Sequence, residues 1–350
     1  MITEVVKIEE LTPQSYCDLE HAAEVIKRGG LVVFPTETVY GLGGDATNPE
    51  AAGRIYAAKG RPSDNPLIIH ISEPCEAEKY AYTGELYYKL AERFMPGPLT
   101  LVLKAKETVP KNTRGGLDTV AVRCPENIIA RELIRLAGVP IAAPSANLSG
   151  SPSPTTARHV LEDMSGRVDM IIDGGEAEFG LESTILKIDS DTATLLRPGK
   201  ITRADLEECV GTVEVSRAVT EALAPGERVL SPGMKYRHYA PKADVVLIEG
   251  TAESACNYIN DLGVTDGTAI IAYTEDIFVF RANFPTVRII DFGSKANELE
   301  QAHRLFALLR DADRDQINKV YAPLPSKEGI GLALYNRMIR AAAYNIVKLK

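Results

Sequence analysis

The sequence predicts a mixed α/β protein in two parts: a body built on a mixed twisted sheet with helices, then a smaller Rossmann-like domain. Three observations carry this. Short apolar strand-like runs recur through the first two hundred residues, with helical spacing between several of them. Two late runs, 184–188 and 194–197, follow each other with no helix between, so antiparallel pairs interrupt a doubly wound pattern. Past a Pro/Gly-rich segment, strand–helix alternation resumes and reads as a small parallel domain. The expected boundaries are 1–212 for the body, 213–243 for a linker and 244–350 for the second domain.

In the body, Leu19, Ala22, Ala23 and Ile26 fall at helical spacing, and Gly29-Gly30 stops that helix. Strand-like runs follow at 31–34, 67–71, 99–103, 120–123, 141–143, 170–173, 184–188 and 194–197. Helices are expected at 51–59, 86–94, 128–136, 156–164 and 203–210. Residues 217–243 hold Pro225-Gly226, Ser231-Pro232-Gly233 and Ala240-Pro241 with little periodicity, as a linker does. Beyond it come strands at 245–248, 269–273, 288–291 and 319–322, helices at 252–262 and 297–311, and a helix after Gly331. No internal repeat or low-complexity tract interrupts this order.

Composition narrows the function. The chain has 350 residues, 45% hydrophobic and 25% charged, enough for two cores. No apolar run has membrane-spanning length, and the acidic, non-apolar start does not resemble a signal peptide, so no membrane partner is expected. Five scattered cysteines without a Cys-x-x-Cys pair suit a reducing, cytoplasmic setting. The net charge is −9. Residues 1–211 hold 22 Lys and Arg against 31 Asp and Glu, whereas residues 212–350 hold 17 of each. An acidic body leaves room only for weak RNA contact and excludes a broad cationic RNA surface. A phosphate site here has to be a focused pocket, which favours a nucleotide substrate.

Three short motifs are declined. Gly41-Leu42-Gly43-Gly44-Asp45-Ala46 spells a loose dinucleotide fingerprint, but six residues separate it from the run ending at Phe34. The next helix begins instead at Asn48-Pro49-Glu50, a capping residue, an N1 proline and a first-turn acid. Asp291-Phe292-Gly293 lacks every other kinase element and reads as a strand end and turn. His21, His70, His159, His238 and His303 lie too far apart in sequence to suggest a zinc site, so no metal held by protein side chains is expected.

Four clusters at strand ends do carry chemistry. Thr36, Glu37 and Thr38 follow the first run; Lys59, Arg61, Asn65 and His70 lie before and along the second. Thr119-Val120-Ala121-Val122-Arg123 is an alternating strand that ends in a cation. Ala143-Pro144-Ser145-Ala146-Asn147-Leu148-Ser149-Gly150 continues to Ser153-Pro154-Thr155-Thr156 at a helix start. Hydroxyls and paired cations at strand ends are where an open α/β sheet holds a polyanion. Each cluster also has a plain structural alternative. Ser153 or Thr155 can cap the helix, Arg123 and Arg197 can be surface or turn residues, and His70 in an apolar run can be a core histidine.

Seven segments in order shift that balance: Pro-Thr-Glu-Thr-Val-Tyr-Gly-Leu (35–42), Lys-Gly-Arg-Pro-x-x-Asn-Pro-Leu (59–67), Pro-Gly-Pro-Leu-Thr (96–100), Thr-Val-Ala-Val-Arg (119–123), Ala-Pro-Ser-Ala-Asn-x-Ser-Gly (143–150), Glu-Ser-Thr-Ile (182–185) and Leu-Arg-Pro-Gly (196–199). From about Gly29 to Gly211 the chain resembles the YrdC-type fold of threonylcarbamoyl-AMP synthases. Residues 231–241, from Ser231 to Pro241, resemble the linker of that family's longer form, which adds a Rossmann-like C-terminal domain. The resemblance implies synthesis of L-threonylcarbamoyl-adenylate from L-threonine, bicarbonate and ATP, with release of pyrophosphate and with Mg²⁺ arriving on ATP. It implies in turn a downstream tRNA threonylcarbamoyl transfer machinery as partner. By position it puts L-threonine on Thr38, His70, Arg123, Ala143 and Ser183. It puts ATP on Lys59, Arg61, Asn65, Thr119, Ser145, Ser153, Arg197 and Tyr236, with Lys59 and Arg61 as the catalytic candidates.

That chemistry asks for positioning and charge neutralisation and needs no covalent nucleophile, in keeping with a sequence that offers no Ser/His/Asp or Cys/His arrangement. Arg123 suits the threonine carboxylate; Lys59, Arg61 and Arg197 suit the triphosphate. His70 has the intrinsic pKa of a general base and equally that of a plain binding donor, so its role stays open. Lys235, Tyr236, Arg237, His238 and Tyr239 between prolines read either as a strap over the ligand or as a dock between domains. Two other readings compete with the synthase. One is a non-catalytic RNA-binding or regulatory module. The other is a carbamoyl transferase related to hydrogenase maturation factors, which would bring zinc-finger cysteines and an acylphosphatase-like segment not found in this sequence.

Overall fold

The computed structural model describes residues 2–189, 192–222 and 238–349. The chain divides into two compact units, residues 1–149 with 153–235, and residues 150–152 with 236–350.

The first unit runs β1 (Glu4–Lys7), α1 (Pro13–Lys27), β2 (Val32–Phe34), β3 (Gly41–Asp45), α2 (Pro49–Lys59), β4 (Ile68–His70), α3 (Glu85–Phe94), β5 (Leu99–Lys104), β6 (Thr119–Arg123) and α4 (Ile128–Ala137). It continues through β7 (Ile141–Ala142), α5 (Ala157–Met164), β8 (Met170–Asp173), β9 (Thr184–Asp189), β10 (Thr192–Arg197), α6 (Arg203–Val210) and β11 (Val213–Val215). Eleven strands form one mixed sheet in the order β1-β8-β2-β3-β7-β4-β6-β5-β9-β10-β11. The antiparallel β9–β10 pair expected from the sequence is present.

Local chemistry sets the helix ends. Thr12 and Ser15 form a capping box before α1, with Pro13 in its first turn. Asn48 accepts from the Glu50 N–H before α2, and Gly60 ends α2 at φ +62°. For α5 the cap is Thr156, which accepts from the His159 N–H, and not Ser153 or Thr155. That frees Ser153 for another partner.

Leu19, Ala22, Ala23 and Ile26 of α1 are all buried, packed with Ile129, Leu133 and Ile134 of α4 against Val32, Phe34, Ile141 and Met170. Burying each large aliphatic side chain there is worth about 1.5–3 kcal/mol. The same sheet face continues over β4, β6, β5, β9 and β10, where a smaller bed of Ile68, Val102, Ala121, Ile185 and Leu196 lies.

Three features of the first unit depart from the sequence reading, as do a helix at Ile277–Asn283 and a strand at Ile346–Lys348 in the second. The Gly-rich segment 41–45 is a strand, paired antiparallel with β2 and β7. A Cβ on Gly43 would sit 2.7 Å from both Ile141 Cγ2 and Phe34 Cε1, so glycine is required by close packing rather than by a phosphate loop. β1 joins the sheet edge beside β8. β11, within the expected linker, pairs in parallel with β10 and extends the sheet.

The second unit alternates β12 (Asp244–Glu249), α7 (Ala252–Leu262), β13 (Thr268–Ala272), α8 (Ile277–Asn283), β14 (Arg288–Asp291), α9 (Glu298–Arg314), β15 (Lys319–Pro323), α10 (Gly331–Ala341) and β16 (Ile346–Lys348). All described pairings are parallel, in the order β14-β13-β15-β12-β16. β15 lies between β12 and β13, where a common doubly wound half would make those two neighbours. Asp291 ends β14, and its Oδ1 accepts from the Gly293 N–H at 2.9 Å, a strand end and turn. Among the described residues, no helix is long and apolar enough to cross a membrane.

Candidate active site

Strand register builds the first half of the site. Cα partners run Ile141–His70–Arg123–Thr100–Ile185–Arg197 across β7, β4, β6, β5, β9 and β10. Partners in register project to one face, so this transverse row brings His70, Arg123, Thr100 and Arg197 together although they span 128 positions of sequence. The row two residues back holds Ile68, Ala121 and Val102, its apolar floor.

Each polar member is fixed by a neighbour. Arg123 Nη2 donates to Glu37 Oε1 at 2.6 Å, with both side chains 5% exposed. The Ser183 and Thr100 hydroxyls lie 2.7 Å apart. Arg197 donates from Nε to the Ser183 carbonyl at 3.0 Å and from Nη2 to Ser183 Oγ at 3.1 Å. His70 packs edge-on to Phe34, with ring centroids 6.1 Å apart. Burial, then the nearby Arg123 cation, pushes His70 down from 6.5 to about 3, so its imidazole is neutral at physiological pH.

Loops complete the other half. Thr36 Oγ1 lies 2.9 Å from Thr38 Oγ1 and takes the N–H groups of Thr38 and Val39, a hydroxyl-closed turn straight after β2. The Leu42 N–H donates to the Pro144 carbonyl and the Ala146 N–H to the Tyr40 carbonyl, bringing the 144–146 loop beside β3. The Ala143 N–H bonds the Ile68 carbonyl, which sets that loop next to β4. Lys59, at the end of α2 and 2% exposed, donates to the carbonyls of Ser145 at 2.5 Å and Asn147 at 2.6 Å. Ser145 Oγ bonds Asn147 Oδ1 at 2.5 Å. Arg61 reaches the carbonyls of Asn65 and Pro66, which stiffens the loop before β4. Ser153 is fully buried and hydrogen-bonds Glu182 Oε1.

Among the described residues, Glu37 Oε2, Asn65 Oδ1, His70 Nδ1 and Arg123 Nε are buried without a hydrogen-bond partner. Such atoms carry a desolvation cost unless something satisfies them, and a polar ligand can.

The expected residues divide. Thr38, His70, Arg123, Ala143 and Ser183 gather around the row and the 143–146 loop. Lys59, Ser145, Ser153 and Arg197 adjoin it through the contacts above. Asn65 and Thr119 lie at the entry ends of β4 and β6; four residues of strand, about 13 Å, separate Thr119 from Arg123. Thr119 also lines an open groove of about 740 Å³ with Tyr82 and Lys104. Tyr236, and with it Lys235 and Arg237 of the strap, lies outside the described residues. Tyr239 stacks on Phe306 of α9 at 5.3 Å, an anchor within the second unit.

Sequence reasoning placed Glu37 in a strand-end cluster without naming its partner and gave no role to Glu182 or Thr100, although all three stand inside the matched segments. An acid one residue from a predicted ligand hydroxyl, in a chain with strand-end arginines, was the available signal. Among the described residues, no group of three or more His, Cys, Asp or Glu could hold a metal ion.

Comparison with known proteins identifies the family. Residues 24–199 match the Sua5/YciO/YrdC family model, described as telomere recombination. Residues 201–343 match the model of the threonylcarbamoyl-AMP synthase C-terminal domain. A threonylcarbamoyl-AMP synthase of Pyrococcus abyssi is 44% identical over 94% of this chain and 95% of its own length. One from Bacillus subtilis is 40% identical over 94% of each. The crystal structure of P. abyssi Sua5 complexed with L-threonine superposes with a TM-score of 0.90 at 40% identity, covering 99% of this chain and 100% of that one. The chain therefore belongs to the threonylcarbamoyl-AMP synthase family, in the form that carries the Sua5 C-terminal domain.

Proposed function

We propose that the protein makes L-threonylcarbamoyl-adenylate from L-threonine, bicarbonate and ATP, releasing pyrophosphate, and so feeds threonylcarbamoyl modification of tRNA adenosine. The carrying observation is the buried row His70–Arg123–Thr100–Arg197, with unsatisfied polar atoms on His70 and Arg123 and on the adjoining Glu37. Family membership supports the same reading.

Threonine binds at the row, its carboxylate on Arg123 and its hydroxyl and amino groups among Thr38, His70, Ala143 and Ser183. ATP takes Arg61, Asn65, Thr119, Ser145, Ser153 and Arg197, with Tyr236 as a further contact. The threonine amine attacks the bicarbonate carbon, a C–O bond of bicarbonate breaks and water leaves, which gives the threonine carbamate. A carbamate oxygen then attacks the α-phosphorus, and the bond to the departing pyrophosphate breaks. Lys59 and Arg61 oppose the charge that develops, Lys59 while holding the 145–147 loop. Mg²⁺ arriving bound to ATP would add charge neutralisation on the phosphates, with no protein side chain assigned to hold it. His70, neutral and buried, serves as a fixed hydrogen-bonding group for threonine.

We assign this chemistry to residues 1–212 together with β11, which extends the same sheet to Val215, with the linker following it up to 243 and 244–350 as the separate Rossmann-like domain; the two-unit division supports the outline. The partners are the tRNA threonylcarbamoyl transfer machinery, with at most weak RNA contact from the acidic body, and the setting is the cytoplasm. Pyrophosphate release from ATP that needs both threonine and bicarbonate, with the adenylate seen by mass spectrometry, is the expected result. Release independent of either one would refute the assignment.

A further inference from the structure

A cavity of about 470 Å³ in the second unit has no part in the chemistry above. It opens at the C-terminal ends of β12, β13 and β15, beside the first turn of α7. The chain leaves β12 for β13 on one side of β15, and later leaves β15 for β16 past β12 on the other side. In open parallel sheets the crevice beyond the carboxyl ends, at such a reversal, is where ligands bind. The volume lies within the range of small-molecule sites.

Its walls are apolar: Ile248 and Ile270 from the sheet, Ala255 and Ile259 from α7, Phe280 from α8, and the Tyr321 ring. Polar groups are few. The N–H groups of Ala252 and Glu253 belong to the first turn of α7, where a helix supplies no acceptor. The Asp276 and Glu253 side chains bring two carboxylates. Lys295 is the one cation of the lining, and its Nζ donates to Asp276 Oδ1 at 2.7 Å. Lys295 is matched by Asp276 and Glu253 adds a negative charge, so the lining offers a phosphate only the partial charge of the α7 start against a net negative pair of carboxylates.

We propose that this cavity binds an unphosphorylated nucleoside. The flat ring lies between the apolar walls, the ribose hydroxyls donate to the carboxylates, and an acceptor of the ring or sugar takes an N–H from α7. Aromatic surface with hydroxyl donors and no anionic group is what this lining satisfies.

Hydrogen-exchange mass spectrometry on the full chain tests it, with adenosine and AMP as separate probes at millimolar concentration. Adenosine is expected to slow exchange in 250–260 and 268–276 by about threefold or more, and AMP to leave both segments unchanged. Ala272→Leu, which grows a buried wall residue into the space, and Asp276→Asn are each expected to remove the protection. Adenosine bound at the ATP subsite would protect 59–65 instead, so failure here is distinguishable from failure of the proposed activity. Unchanged exchange with adenosine, equal protection by AMP, or protection that survives in both variants would overturn the proposal.

Discussion

Arg197 holds Ser183 at two points, its backbone carbonyl and its hydroxyl, at 3.0 and 3.1 Å. One proposed ATP residue thus fixes one proposed threonine residue, and the two subsites share a wall. Arg197→Lys loses the forked geometry while keeping the charge. We expect KM to rise for both threonine and ATP by roughly tenfold, the scale of one or two hydrogen bonds to a charged group. Steady-state kinetics with each substrate varied in turn will show whether the two rise together; a rise for ATP alone would separate the subsites.

Arg61 should behave differently, because its described hydrogen bonds are to its own loop. Arg61→Ala is expected to cut adenylate formation by about tenfold or more, a few kcal/mol of charge stabilisation, while the fold persists. Unchanged turnover and ATP affinity in a folded variant would remove it from the ATP site.

The buried Arg123–Glu37 pair predicts separable effects on stability and binding. Arg123→Ala leaves Glu37 charged and unpaired, at a cost of about 3–5 kcal/mol. Threonine binding should weaken more than ATP binding. Adding Glu37→Leu should restore most of the stability and none of the threonine affinity. Urea denaturation and calorimetric titration of both variants check this; recovery of binding in the double variant would show that Arg123 does not meet the substrate.

His70 makes stability depend on pH in a definite direction. Its folded value, about 3, lies below the unfolded 6.5, so the unfolded chain binds the extra proton between those values. The contribution is complete above pH 6.5 and is lost as the pH falls towards 3, with a slope approaching about 1.4 kcal/mol per pH unit. Denaturation midpoints of the protein and of His70→Asn should diverge at neutral pH and converge towards pH 4. Parallel curves would mean that His70 is not buried neutral.

The sequence made the elements with strong periodicity legible. The four α1 positions at helical spacing are the four that pack against α4, and the runs later found as β5, β6, β9 and β10 were visible as alternating or apolar stretches. Segments whose structure depends on distant partners were not. β3 is three glycines and a leucine followed by an acid, with no intrinsic strand preference, and exists because Val32 and Ile141 flank it. β1, β11 and β16 are short strands at sheet edges, where tertiary pairing outweighs propensity. For the site, residue types at strand ends pointed to a polyanion, yet nothing local indicated that Thr100 and Ser183, or Arg123 and Glu37, would touch. The first contact follows from the pairing of β5 with the start of β9, and the second from the turn after β2 reaching the end of β6.

The same register makes the protein unequally tolerant of length changes. Deleting one residue within β4, β5 or β6 would turn every later side chain of that strand to the opposite face, so the frame of each strand is as constrained as its composition. Single-codon deletions there should be lethal to activity even when the residue removed is an unremarkable valine. In the loop between β5 and β6, spanning residues 105–118, lengthening by one or two residues leaves the row in place. A tolerance map built from insertions and deletions would therefore trace the active site more sharply than one built from substitutions.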